Sequence, residues 1–175
     1  MSSRDLANLK NGLVAAWIPS LGSTGYRLVD RVGSNHGVLT NMDAGSDWVV
    51  SGGALSLDFD GSNDYVANAA PTYKASFPFT IATWANISSA YRSAINGRTY
   101  LVQATTYGNR SSIFSIATDY SNSTDRLYYF QGNNVRLTTE TFTVNTWQHI
   151  VFCFDSTTSV RFFLNGIEGT IAQPV

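Results

Sequence analysis

From Leu13 onward the apolar residues come in short runs, separated by clusters of Gly, Asn, Asp, Ser and Pro. Ala54-Leu-Ser-Leu-Asp-Phe-Asp60 alternates, with Leu55, Leu57 and Phe59 on one face and Ser56, Asp58 and Asp60 on the other. Period two over this length predicts a half-buried strand. Gly61-Ser-Asn-Asp64 reads as the turn that ends it, and Tyr65-Val-Ala67 as the return. Leu13–Ile18, stopped by Pro19, predicts an earlier strand, and Val38-Leu39 and Trp48-Val-Val50 predict short pieces. Phe79-Thr-Ile-Ala-Thr-Trp-Ala85 carries apolar bulk at both parities, the pattern of a strand enclosed within a sandwich.

Further along, Tyr100–Val102, Ile113–Ala117, Arg126–Phe130 and Val135–Leu137 continue the series, the last two joined by a turn at Gln131–Asn134. Trp147–Phe154 pairs most simply with Val160–Leu164 across Asp155–Ser159. Asn165-Gly166 is a strong hairpin signal, because both central residues of the favoured tight turn need positive φ. It sends Ile167–Ile171 back as another strand. Residues 3–11 are the one fair helix candidate: Ser3 can cap, Leu6 and Leu9 share a face, and Gly12 can stop it. Turns recurring about every ten residues predict an all-β sandwich or barrel rather than strands alternating with helices.

The 175 residues suit one domain, expected over residues 12–175 behind a short helix or arm at 1–11. Only 13% of the residues are charged, and Ser, Thr, Asn and Gly supply the polarity. That mix favours pleated strands and sharp bends. A net charge of −1 gives no global attraction to nucleic acid or to anionic membrane surfaces. No apolar run approaches the ~20 residues of a membrane-spanning helix. The residues after Met1 lack the apolar core of a secretory signal, and Cys153, the single cysteine, cannot form a disulfide within the chain. Both features predict folding in a reducing cytoplasm, with the three glycosylation-type triplets at Asn86, Asn109 and Asn122 read as accidental.

Taken in order, several segments resemble the laminin G-like jelly roll of the concanavalin A-like lectin/glucanase superfamily. They are Gly12-Leu-Val-Ala-Ala-Trp17, Asn35-His-Gly-Val-Leu39, Leu57-Asp-Phe-Asp-Gly-Ser-Asn-Asp-Tyr-Val66 and Phe77-Pro-Phe-Thr-Ile-Ala-Thr-Trp84. Trp147-Gln-His-Ile150, Phe154-Asp155 and Arg161-Phe-Phe-Leu-Asn-Gly166 complete the set. The resemblance implies two stacked antiparallel sheets, with ligands taken at the rim loops or on the concave face. It also implies further strands beyond the Leu-Asn-Gly hairpin, so the expectation is either a native chain that continues past Val175 or a sandwich completed by oligomerisation or by a partner chain.

The candidate chemistry is sparse. Retaining glycosidases need two carboxyl groups about 5–5.5 Å apart, and the glucanases of this superfamily carry theirs as Glu-x-Asp-x-x-Glu on one strand. Here Glu140 and Glu168 are the only glutamates and sit in different segments. Asp58 and Asp60 share a strand face but belong to the structural Asp-Phe-Asp-Gly run, so no enzyme activity is expected. His36 reads as a turn element, His149 as a hydrogen-bonded packing residue and Cys153 as a small buried hydrophobe. Calcium is a possible cofactor, because Asp60, Asn63 and Asp64 crowd one turn with hard oxygen ligands and Asp30 lies in another polar loop; the competing reading is a self-bonded Asx turn. For sugars, Trp48, Tyr91, Tyr107 and Tyr120 offer rings in polar stretches, with Arg92 and Arg110 to bond hydroxyls.

These features predict a non-catalytic binding or structural module. Resemblance to modules of phage structural proteins adds the expectation of a decoration or fibre component on a virus particle, holding glycan or other virion proteins and neither nucleic acid nor membrane. The alternative is a cellular lectin-like module, and a glycoside hydrolase fits less well.

Overall fold

The computed structural model describes residues 12–68, 77–89, 100–104, 114–118, 125–131, 134–156 and 158–172. The expected helix at 3–11 lies outside them. The described residues are all-β, with antiparallel pairing throughout and one short 3-10 turn at Pro19–Leu21. The chain divides into two compact units, Met1–Lys74 and Ala75–Val175.

In the first unit, strands β1 (Arg27–Leu28), β2 (Gly37–Thr40) and β5 (Tyr65–Ala67) form one sheet, and β3 (Trp48–Ser51) pairs with β4 (Ala54–Leu57) in a hairpin. Two expectations change here. Tyr65–Ala67 does not return along β4; Val66 pairs with Leu39 of β2. The pairing needs a glycine at position 37, where a Cβ would overlap Val66 Cγ1. Leu13–Ile18 is not a strand, and only Trp17 makes an isolated bridge, to Asp30.

The alternating face of β4 also departs from the pattern. Ser56 is the buried residue, while Leu55 and Leu57 are half-buried and Phe59, beyond the strand's end, is 48% exposed. Ser56 tolerates burial because its hydroxyl donates to the Val49 carbonyl on the paired strand, 3.2 Å away.

In the second unit, β6 (Phe79–Asn86), β11 (Trp147–Phe154), β12 (Val160–Leu164) and β13 (Ile167–Gly169) form a sheet in the order β13-β12-β11-β6. Strands β7 (Tyr100–Ala104), β8 (Phe114–Thr118), β9 (Arg126–Gln131) and β10 (Asn134–Thr141) form a second, in the order β10-β9-β8-β7. The β9–β10 turn, the β11–β12 pairing and the Asn165-Gly166 hairpin follow the sequence pattern. Asn165 and Gly166 have φ of 53° and 83°, as the tight hairpin requires.

The two sheets stack through their aromatic rows. Tyr129 of β9 packs 5.8 Å, centroid to centroid, from both Phe152 and Phe154 of β11. Phe152, Phe154 and Phe162 are sealed from water. Each such side chain contributes roughly 1.5–3 kcal/mol by leaving water. Consecutive residues Ile116–Thr118 and Leu127–Tyr129 are all buried, so both faces of the second sheet are covered.

After β13 the chain crosses to the other sheet. Thr139 N–H donates to the Thr170 carbonyl and Ala172 N–H to the Leu137 carbonyl, so this segment pairs along the outer edge of β10. An edge strand with unpaired backbone groups invites association, and here part of that edge is occupied by the chain itself.

Candidate functional site

Strand β6 has one half-buried and one open face rather than two buried ones. Phe79, Ile81, Thr83 and Ala85 turn inward, and Thr80, Ala82, Trp84 and Asn86 turn outward. Trp84 is 64% exposed, the most exposed of the four tryptophans. A large indole left in water in the middle of a paired strand is informative, since burial would have stabilised the fold.

Its cross-strand partner explains how the ring is held. Trp84 pairs in register with His149 of β11, and the two rings lie 5.1 Å apart at a 30° tilt. Within the Trp147-Gln-His-Ile150 run, it is Gln148 that turns inward, its side-chain oxygen accepting the Thr143 N–H at 2.8 Å. His149 turns outward, and its backbone is fixed by Asn165, whose side chain accepts the His149 N–H and whose own N–H donates to the His149 carbonyl. Packing against an aromatic ring is therefore its role in the fold, through a stack rather than a side-chain hydrogen bond.

Three planar polar groups on this face have no hydrogen-bond partner among the described residues: the Trp84 indole N–H, the His149 ring nitrogens and the Asn86 carboxamide. An open aromatic face beside uncommitted donors and acceptors can stack the apolar side of a ring while bonding its polar substituents. The sequence carried a signal for this: Thr80 and Asn86 share the parity of Trp84, which marks that face as wet.

The residues expected to bind ligand fall differently. Trp48 lies in β3, half-buried, and its indole N–H donates to the Gly25 carbonyl at 2.9 Å. Tyr91, Arg92, Tyr107, Arg110 and Tyr120 lie outside the described residues.

The calcium candidates are tied to their own loops. Asp30, 3% exposed, accepts four backbone N–H groups: Ala16 and Val32 at Oδ1, Gly33 and Asn35 at Oδ2. Burial pushes its carboxyl up, but these four donors pull harder and hold it below the usual aspartate value. Four donors match the carboxylate's four lone-pair sites, so Asp30 acts as a clamp on its own loop. The loop is closed further by Trp17, whose indole N–H donates to the Asn35 carbonyl, and by His36 Nδ1, which accepts the Asp30 N–H.

At the second loop, Asp60 Oδ1 accepts the Ser62 and Asn63 N–H groups, and Asp64 Oδ2 accepts the Asp60 N–H. The Ser62 bond is the chief reason its carboxyl sits below the ordinary value. This is the Asx-turn arrangement. Among the described residues no three His, Cys, Asp or Glu side chains group to hold a metal.

Residues 60–172 match the family model described as the concanavalin A-like lectin/glucanases superfamily. The chain belongs to that superfamily. The match covers more than half of the concanavalin A-like chain and takes in both sheets of the second unit with the β6–β11 pair. The motifs at Gly12–Trp17 and Asn35–Leu39 lie ahead of it. No curated protein and no solved structure matches the chain. A superfamily of lectins and glucanases is consistent with a carbohydrate-binding module, though fold alone does not fix function.

Proposed function

We propose that this chain is a non-catalytic carbohydrate-binding module whose sugar platform is the outer face of β6 and β11, centred on Trp84. The observation that carries the reading is the exposure of Trp84, 64%, in register with His149 and flanked by Asn86. A pyranose ring presents an apolar face to the indole and equatorial hydroxyls to the neighbouring polar groups, and neither needs a charged partner. The low charge of the chain suits a neutral glycan.

The absence of catalysis in this reading is supported by the acids. Glu140 is bound to the crossing segment: both of its oxygens lie 2.9 Å from the Thr170 N–H, and one also accepts the Thr139 hydroxyl. Glu168 sits on β13, in register with Phe163.

A glycan array followed by calorimetry on the best ligand, with and without chelator, tests the reading. Binding should survive chelator and fall about five- to tenfold in Trp84→Ala, as expected for loss of a stacking ring worth about 1–1.5 kcal/mol. Binding that is indifferent to Trp84→Ala, or hydrolysis of the bound glycan, would refute it.

A further inference from the structure

The strongest unexplained feature outside that platform is a cation on the inner side of the second sheet. Arg136 of β10 is directly paired with Tyr129 of β9, so both side chains leave the same face of the sheet. That face carries the Tyr129 ring against Phe152 and Phe154. Arg136 therefore points toward the interlayer side, at the sandwich edge, and makes no ion pair among the described residues. A guanidinium drawn partly out of water without a counter-charge is costly, and an anion at its fork would relieve that cost.

A shallow, largely open depression of about 260 Å³ lies there, lined by Tyr129, Arg136, Thr158, Ser159, Val160 and Ile171. Its chemistry is mixed in a specific way. Arg136 supplies five donors in a planar fork. Tyr129, Thr158 and Ser159 supply hydroxyls, and those of Tyr129 and Ser159 have no hydrogen-bond partner among the described residues. Val160 and Ile171 supply an apolar wall. Burial raises the Tyr129 hydroxyl above its ordinary value, and the nearby Arg136 charge opposes that rise, which places the two polar tips within electrostatic reach. The volume falls below the ~300–1,000 Å³ of pockets that enclose larger ligands. One sugar residue or a small acid fits the description; an oligosaccharide does not.

We infer that this depression binds a single carboxylate-bearing sugar residue, with the carboxylate on the Arg136 fork and the ring hydroxyls on Tyr129, Thr158 and Ser159. The apolar wall takes the C–H side of the ring. This site is separate from the Trp84 platform and does not depend on it.

Amide NMR titration of the full chain with glucuronate, glucose, acetate and sulfate tests the assignment. Glucuronate should move the Thr158, Ser159 and Ile171 signals, with acetate and sulfate at least about tenfold weaker and glucose inert, since each lacks one half of the recognition. Arg136→Gln should abolish the shifts, Tyr129→Phe should weaken them several-fold, and Trp84→Ala should leave them intact. If Arg136→Gln does not fold, Arg136→Lys keeps the charge without the fork and should still bind at least several-fold more weakly. Glucuronate leaving these signals unmoved overturns the proposal. So does acetate or sulfate binding as well as glucuronate, which reduces the depression to a general anion site, and so does unchanged binding in the Arg136 variants. Loss of neutral-glycan binding in Trp84→Ala with glucuronate binding retained separates the fate of this site from that of the platform.

Discussion

The Glu140 carboxylate lies over Gly169: a Cβ built on that glycine would stand 2.5 Å from Oε2. The contact lets Glu140 reach past β13 to the Thr170 N–H, and it holds the crossing segment against β10. Partial burial pushes the Glu140 carboxyl up, but the Thr170 N–H, the Thr139 hydroxyl and the Arg126 charge outweigh it, so the group sits below the ordinary glutamate value. A carboxyl held low in the folded state stabilises the fold fully above its unfolded value, about 4.3. That contribution disappears as pH falls through the folded value. Urea unfolding of the native chain and Glu140→Gln should therefore converge as pH drops below about 4 and diverge at neutral pH, by about 1 kcal/mol for a partly exposed clamp. Equal stability of the two at pH 7 would remove the clamp.

Gly169→Ala tests the same contact from the other side. The added methyl meets Glu140 Oε2 and the Phe162 ring at 2.9 Å, and only the glutamate can swing away. The variant should lose about 1–3 kcal/mol, as overpacked sites do. Combining it with Glu140→Ala should cost less than the sum of the two single changes, because the clash and the clamp share one side chain.

Asp30 offers a larger effect. Replacing it by Asn turns one acceptor oxygen into a donor facing two backbone N–H groups, whichever way the amide is oriented. A loss of about 2–3 kcal/mol follows from leaving buried donors unpaired. Because the native carboxyl is also held low, its stabilising effect is complete above about pH 3.9 and is lost as pH falls through the depressed value. Chelator should leave the native melt unchanged, since the four backbone donors fill the carboxylate. A chelator-sensitive melt restored by calcium would contradict that account of the loop.

Much of this was legible beforehand where the pattern is local. Asn165-Gly166 dictates its own turn, and Trp147–Phe154 pairs with Val160–Leu164 across the short loop between them, as their spacing suggests. Pairing across distance was not legible. Tyr65–Ala67 joins β2 rather than β4, and nothing in its residues specifies which strand supplies the missing backbone partners. Face assignment failed where a side chain could satisfy itself internally: Ser56 is buried because Val49 offers a carbonyl, which a hydropathy pattern does not register. Trp84 was hidden for the opposite reason. Its bulk reads as core, and only the polar residues sharing its parity reveal the open face.

Gly37 and Val66 should be coupled in the same measurable sense. The glycine lies where β2 meets β5, and a methyl there would overlap Val66 Cγ1, a branched carbon on a stiff side chain. Gly37→Ala should destabilise by about 1–3 kcal/mol. Adding Val66→Ala should recover part of that loss, although Val66→Ala alone is destabilising. Simple additivity in urea melts would mean that β2 and β5 are not neighbours in this register.

The platform can be read out by its own fluorescence. Trp84 is 64% exposed, Trp17 37%, and Trp48 and Trp147 less, so a neutral quencher such as acrylamide reaches Trp84 most readily. A sugar stacked on the indole blocks that access while leaving the other three rings untouched. Saturating glycan should therefore lower the quenching constant of the native chain, and Trp84→Phe, which keeps a smaller ring for stacking, should bind more weakly with no ligand-dependent change in quenching. Protection that persists in Trp84→Phe would move the binding surface to another tryptophan and away from the β6–β11 face.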